Sequence, residues 1–169
     1  MTERLQVSIA PREALFLLEI WGEQVAVESR LEATLPLPCR SATAGTARTL
    51  WWEPETWLVR APIAERDANL ERLALVAGGD GAVTDISGAL TRLRVEGPLW
   101  RDLLMIGGVF DAVSPTFGPG CVAGTVIHHL PVRLDVLSDS AIEAYVPPSY
   151  AEDLLHHWTR AAARLRAAA

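Results

Sequence analysis

The chemistry-bearing residue types are sparse in this 169-residue chain, and their spacing decides what each can do. Its four histidines form two adjacent pairs, His128-His129 and His156-His157. Neighbours on a strand point to opposite faces, and neighbours on a helix stand about 100° apart, so neither pair presents two ligands to one metal without distortion. Without H-x-H or H-x-x-x-H spacing, the pattern predicts surface or satisfied histidines rather than zinc ligands. Asp85-Ile86-Ser87 puts a carboxylate and a hydroxyl on one face of a strand. The G-x-S-x-G elbow that would activate the serine is missing, which points to backbone hydrogen bonding at a strand bend. Gly118-Pro-Gly-Cys-Val-Ala123 matches the dinucleotide pattern G-x-G-x-x-A. The following Thr125-Val-Ile-His-His is strand-like, however, whereas a pyrophosphate would need a helix N-terminus there. Glu53/Glu55 and Glu152/Asp153 occupy a turn and a helix start, where carboxylates are ordinary. The chain has no lysine, so Schiff-base, P-loop and lysine-base chemistry are excluded. No catalytic, cofactor-binding or metal-ligating residue is assigned.

Tryptophan is the unusual residue, with six against two tyrosines. Trp51 and Trp52 are consecutive in a predicted strand and must face opposite sides. One packs in the core, while the other is covered by a helix, a ligand or a partner subunit. Trp51, Trp52 and Phe117 are the candidate interface residues, since aromatic side chains concentrate in interface hot spots. Cys39 and Cys121 stand apart and read as small buried hydrophobes rather than a disulfide or metal pair.

Half of the residues are hydrophobic and the net charge is −6, the profile of a globular protein. The length suggests a single domain spanning 1–169. Scattered arginines and a pI near 5.2 give no footprint for a phosphate backbone, which excludes nucleic acid as a partner. Arg160, Arg164 and Arg166 are read as complementing a helix dipole. The apolar runs Ala14–Leu18 and Val122–Ile127 fall far short of the ~20 residues that span a bilayer, and Met1-Thr-Glu-Arg4 lacks a signal's apolar stretch. A cytoplasmic protein with no membrane partner is expected.

The elements that must position these residues follow from periodicity. Ala14–Trp21 predicts a strand stopped by Gly22, and Glu23–Leu35 a helix ending before Pro36. Cys39–Thr46 reads as a loop, and Leu50–Trp52 and Thr56–Ala61 as a hairpin across Glu53-Pro54-Glu55. Glu65–Val76 predicts an amphipathic helix closed by Gly78-Gly79, with Ile63, Leu70, Leu73, Ala74 and Ala77 on its apolar face. From Val83 a period of two predicts a strand bulged at Gly88, with Leu93 and Val95 inward and Arg92 and Arg94 outward. Gly97-Pro98 opens a short helix through Ile106. Val122–His129, Pro131–Leu137 and Ile142–Val146 read as strands. A final helix follows a capping box of Ser149 and Glu152, with a stripe of Leu154, Leu155, Trp158, Ala161, Ala162 and Leu165. The hairpins demand antiparallel pairing, so the fold class is α+β, with helices packed on antiparallel sheets in two halves.

The segments Leu50-Trp-Trp-x-Pro-x-Thr-Trp-Leu-Val59, Thr84-Asp-Ile-Ser87, Leu93-Arg-Val-Glu-Gly-Pro98 and Phe117-Gly-Pro-Gly-Cys121 resemble the gamma subunit of heterotetrameric sarcosine oxidase. So do His129-x-Pro131-Val and the tail Tyr145-Val-x-x-Ser149-Tyr-Ala-x-x-Leu154. The resemblance runs from about Ala14 to Trp158 and implies two ferredoxin-like halves, similar to the folate-binding domain of aminomethyltransferases. It implies a small subunit without catalytic residues, whose partners are the alpha, beta and delta subunits. Those partners would hold NAD and tetrahydrofolate (alpha), FAD together with shared FMN (beta) and zinc (delta). The implied reaction is oxidative demethylation of sarcosine or a related N-methyl amino acid, with the one-carbon unit passed to tetrahydrofolate. The Lys-Gly-Cys-Tyr-x-Gly-Gln-Glu signature of the related folate-binding repair proteins is replaced here by Pro119-Gly-Cys-Val-Ala-Gly124. A stand-alone folate-binding protein or aminomethyltransferase-like enzyme, with a tryptophan on the ring and Arg92 or Arg94 on the ligand carboxylate, is the alternative expectation. A homo-oligomeric scaffold is the third.

Overall fold

The first strand, β1 (Gln6–Ile9), carries little apolar contrast, and its residues are exposed or half-buried. β2 (Glu13–Ile20) is the opposite case, because Ala14, Phe16, Leu18 and Ile20 alternate along it and are all buried. The computed structural model describes residues 5–168, so Met1–Arg4, expected to carry no signal, lie outside the described residues. The chain divides into two units, one of Arg12–Ser87 and one joining the segment through Pro11 to everything from Gly88 on.

In the Arg12–Ser87 unit, β2 leads to α1 (Gln24–Leu31), β3 (Ser41–Ala44), β4 (Ala47–Glu53), β5 (Thr56–Pro62), a 3-10 turn, α2 (Arg66–Ala77) and β6 (Gly81–Asp85). The sheet order is β3-β4-β5-β2-β6, antiparallel throughout. Phe16, Leu18, Trp57, Val59, Leu73 and Val76 form its core, each large side chain contributing about 1.5–3 kcal/mol by leaving water. Gly81 lets β6 approach β2, since a Cβ there would meet the Glu19 carbonyl oxygen at 2.2 Å.

The second unit contains β1, β7 (Thr91–Glu96), α3 (Trp100–Met105), β8 (Val122–Ile127), β9 (Leu130–Ser138), β10 (Ala141–Val146) and α4 (Pro148–Ala168). Its sheet runs β1-β7-β10-β9-β8. Aligned as β8-β9-β10-β7-β1, it has the same layout as β3-β4-β5-β2-β6. Each unit is thus a βαββαβ ferredoxin-like arrangement with one extra edge strand. In the second unit the strand that would follow the last helix is supplied instead by β1, from the N-terminus. Leu93, Val95, Trp100, Leu134, Leu154 and Trp158 anchor its core.

The α+β class, the antiparallel sheets and the tryptophan-rich hairpin follow the sequence expectation. Several details do not. Ser41–Ala44, expected as loop, is an edge strand whose mostly exposed residues carry no burial pattern. The strand expected to run on from Val83 through a bulge is two strands in different sheets, broken around Gly88. On α2, Val76 faces the core and Ala74 does not. α4 begins at Pro148, which puts Ser149 inside the first turn rather than ahead of it as a cap. Cys39 is exposed, Cys121 is buried, and both are free thiols.

Candidate functional site

Asp85 and Ser87 meet at the end of β6. The Ser87 hydroxyl donates to Asp85 Oδ1 at 2.6 Å, the Ser87 N–H donates to the same oxygen at 2.8 Å, and the hydroxyl accepts from the Leu15 N–H at 3.0 Å. Arg66 pairs with the other carboxylate oxygen. Burial pushes the Asp85 pKa up, but the bonds from Ser87 and the Arg66 guanidinium outweigh it and hold the carboxyl below its usual range. The serine is thereby committed to fastening β6 to β2, the structural reading of this motif.

The Gly118–Ala123 motif is a tight turn entering β8. The Cys121 N–H donates to the Gly118 carbonyl at 2.9 Å, and its thiol lies 3.2 Å from the Thr116 carbonyl. No helix follows it, so the dinucleotide geometry is not built. The cations expected for a ligand carboxylate are taken up internally. Buried Arg92 pairs with Glu143 at 2.8 Å and donates to the Pro11 carbonyl, and Arg94 pairs with Glu96 at 2.9 Å.

Two clefts remain. The first, about 380 Å³, lies in the Arg12–Ser87 unit between the β4–β5 hairpin and the Pro36-Leu-Pro38 segment, with Trp51 and Trp57 in its wall. The Trp57 indole N–H donates to the Pro36 carbonyl at 2.9 Å, which fixes the proline segment against the strand. Trp51 and Trp52 are both half-buried, and a register shift at this point gives the strand its irregularity. Leu37, which lines the cleft with Trp51, is 72% exposed. Phe117, the third candidate, is buried in the other unit against Trp100 and Phe110, with centroids at 6.1 and 5.1 Å.

The second cleft, about 600 Å³, lies between α4 and the β8–β9 turn. His128 and His129 are not strand residues, as expected from sequence, but the two-residue turn itself, with φ of 49° and 68°. The reversed twist of a two-residue hairpin requires positive φ at both positions, which moves both rings off the strand's alternation. His128 stacks on His157 of α4 at 4.2 Å and 15°, and His157 contacts the Ile106 carbonyl at 3.3 Å. Arg160 and Arg164 complete the wall. They lie on the cleft face of a helix that runs on to Ala168, whereas only Arg166 occupies the last turn as the dipole reading expected. The i, i+4 spacing of the two arginines was the available sequence signal, but the stacking of rings 29 residues apart in sequence was not. Among the described residues, no three of His, Cys, Asp and Glu converge as a metal group.

Two antiparallel α+β units of this layout define a class shared with known proteins. The structure superposes on a chain of heterotetrameric sarcosine oxidase from Corynebacterium sp. U-96 with a TM-score of 0.84 and 22% identity, covering 95% of this chain and 84% of that one. It also superposes on the glycine cleavage system aminomethyltransferase T from Bartonella henselae, with a TM-score of 0.69 and 13% identity, covering 93% of this chain and 46% of that one. A search of curated protein sequences finds no match. The model of the sarcosine oxidase gamma subunit family matches residues 23–164, and the chain belongs to that family.

Proposed function

We propose that this chain is the small, non-catalytic structural subunit of a heterotetrameric, flavin-dependent sarcosine oxidase. The family match over residues 23–164 carries this reading, and the likeness to a sarcosine oxidase chain over nearly its whole length supports it. The alpha, beta and delta subunits are its partners. They hold FAD, FMN, NAD, tetrahydrofolate and zinc and carry out the demethylation of sarcosine or a related N-methyl amino acid. Commitment of Ser87, Arg92 and Arg94 to internal bonds fits a chain that contributes surface rather than chemistry. The whole chain, 1–169, acts as one such subunit in the cytoplasm. Trp51, which shares a cleft with exposed Leu37, and half-buried Trp52 are among its contact residues. Among the described residues, no helix is long and apolar enough to cross a membrane.

The test is co-expression of the tagged chain with the genes beside its own, followed by native mass and flavin absorption of what it retains. A yellow complex well above 18.4 kDa is the expected result. A colourless, partnerless monomer overturns the reading and makes folate titration the next measurement.

A further inference from the structure

We infer that the cleft between α4 and the β8–β9 turn receives an acidic segment of a partner subunit, an inference that rests on the subunit reading above. Charge is the first argument. Among the described residues, Arg30, Arg60, Arg66, Arg92 and Arg94 are each paired with a carboxylate of this chain. Arg160 and Arg164 are exposed, lie one helical turn apart on the cleft wall, and have no hydrogen-bond or ion-pair partner among the described residues. In a chain of net charge −6 this is a local surplus of cation. Each guanidinium presents a planar fork that matches a carboxylate.

The lining and its geometry point to a polypeptide segment. Leu130, Ala161 and Ile106 supply the apolar part of its lining. Apolar contact beside an unpaired arginine is the composition of an interface centre. Asp153, the one acid in the lining, sits 11 residues before Arg164 on α4, about 16 Å along the helix axis. That span equals roughly five residues of extended chain. The cleft is therefore polar along its length, and the segment's acids belong at the Arg160–Arg164 end.

The histidine turn is an independent observation. Two-residue turns with positive φ at both positions favour Asn-Gly, because a bulky side chain there is strained. This chain places two imidazoles at those positions and holds the first stacked on α4. The stack fixes the cleft's wall before anything binds, which lowers the ordering cost of docking.

The experiment compares the co-expressed complex of the wild-type chain with complexes of R160Q/R164Q and R160E/R164E, titrating assembly by native mass at low and high sodium chloride. Both arginines are exposed and unpaired, so the variants are expected to melt as wild type does, which separates docking from folding. The variants should assemble about tenfold or more weaker, the scale of losing an interface arginine, with charge reversal worse than neutralisation. Wild-type assembly should weaken with salt, and the variants should lose part of that dependence. Assembly of both variants at wild-type strength overturns the inference while leaving the subunit reading intact. Normal assembly combined with loss of a citrate-induced thermal shift also overturns it, assigning the cleft to a small carboxylate. If the wild-type chain joins no flavin-bearing partner, both readings fall together.

Discussion

Arg92 on β7 pairs diagonally with Glu143 on β10, which stands opposite Arg94 in the register, and the two side chains are 5% and 2% exposed and 2.8 Å apart. A buried charge left without its partner is costly, so Glu143→Ala should destabilise the chain by about 3–5 kcal/mol in urea unfolding. Replacing both residues by apolar side chains of similar volume should recover most of that loss, because the desolvation of both ions is removed together. Asp85 gives a pH dependence whose sign is fixed. Its carboxyl is held below its usual range in the fold, so between the folded and unfolded values the unfolded chain binds more protons. The stabilisation is complete above about pH 4 and is lost as pH falls through the folded value. Urea midpoints measured from neutral to acid pH should therefore fall less steeply for Asp85→Asn than for wild type. The pairing of Asp85 with Ser87 was legible from their spacing. The Arg66 that completes it was not, because it lies 19 residues upstream and only the packing of α2 on β6 brings it there.

α4 and α3 each bury a tryptophan completely, but the two indoles differ in one bond. Trp100 Nε1 donates to the Asp139 carbonyl at 2.8 Å, while Trp158 Nε1 is buried without a hydrogen-bond partner among the described residues. Trp100→Phe should therefore cost about 1 kcal/mol beyond the packing loss, the net worth of one hydrogen bond. Trp158→Phe should cost only its packing, a difference that paired thermal melts will show. The β8–β9 turn offers the complementary test. H128N/H129G should stabilise the isolated chain by about 1 kcal/mol, since both positions have positive φ. At this scale the long alternating or helical stretches were readable, as in β2 and the stripe of α4. β1 and β3 were not, because edge strands with exposed side chains are held by backbone bonds that leave no hydrophobic signature.

For the whole molecule, the exposed apolar side chains matter most: Trp21, Val25 and Leu37 in one unit, and Met105, Val109 and Val113 in the other. Surfaces of this kind mark contact sites, so the isolated chain should bind an apolar fluorescent dye and lose that fluorescence on joining its complex. Equal dye binding before and after assembly would remove these side chains from the interface. The shared layout of the two units was expected as two halves. The permuted origin of β1 was not, since strand order in a sheet is a non-local property that no window of sequence contains.

The sequence by itself determined the α+β class, the helices and the inner strands, and the family, because burial periodicity and motif order are written along the chain. Only the tertiary structure decided that Leu93 and Leu18 belong to different sheets, that His128 stacks on His157, and that Arg160 and Arg164 face a cleft. Each of these depends on which distant segments share a core, and that is settled when the apolar faces find one another rather than by any residue's own neighbours.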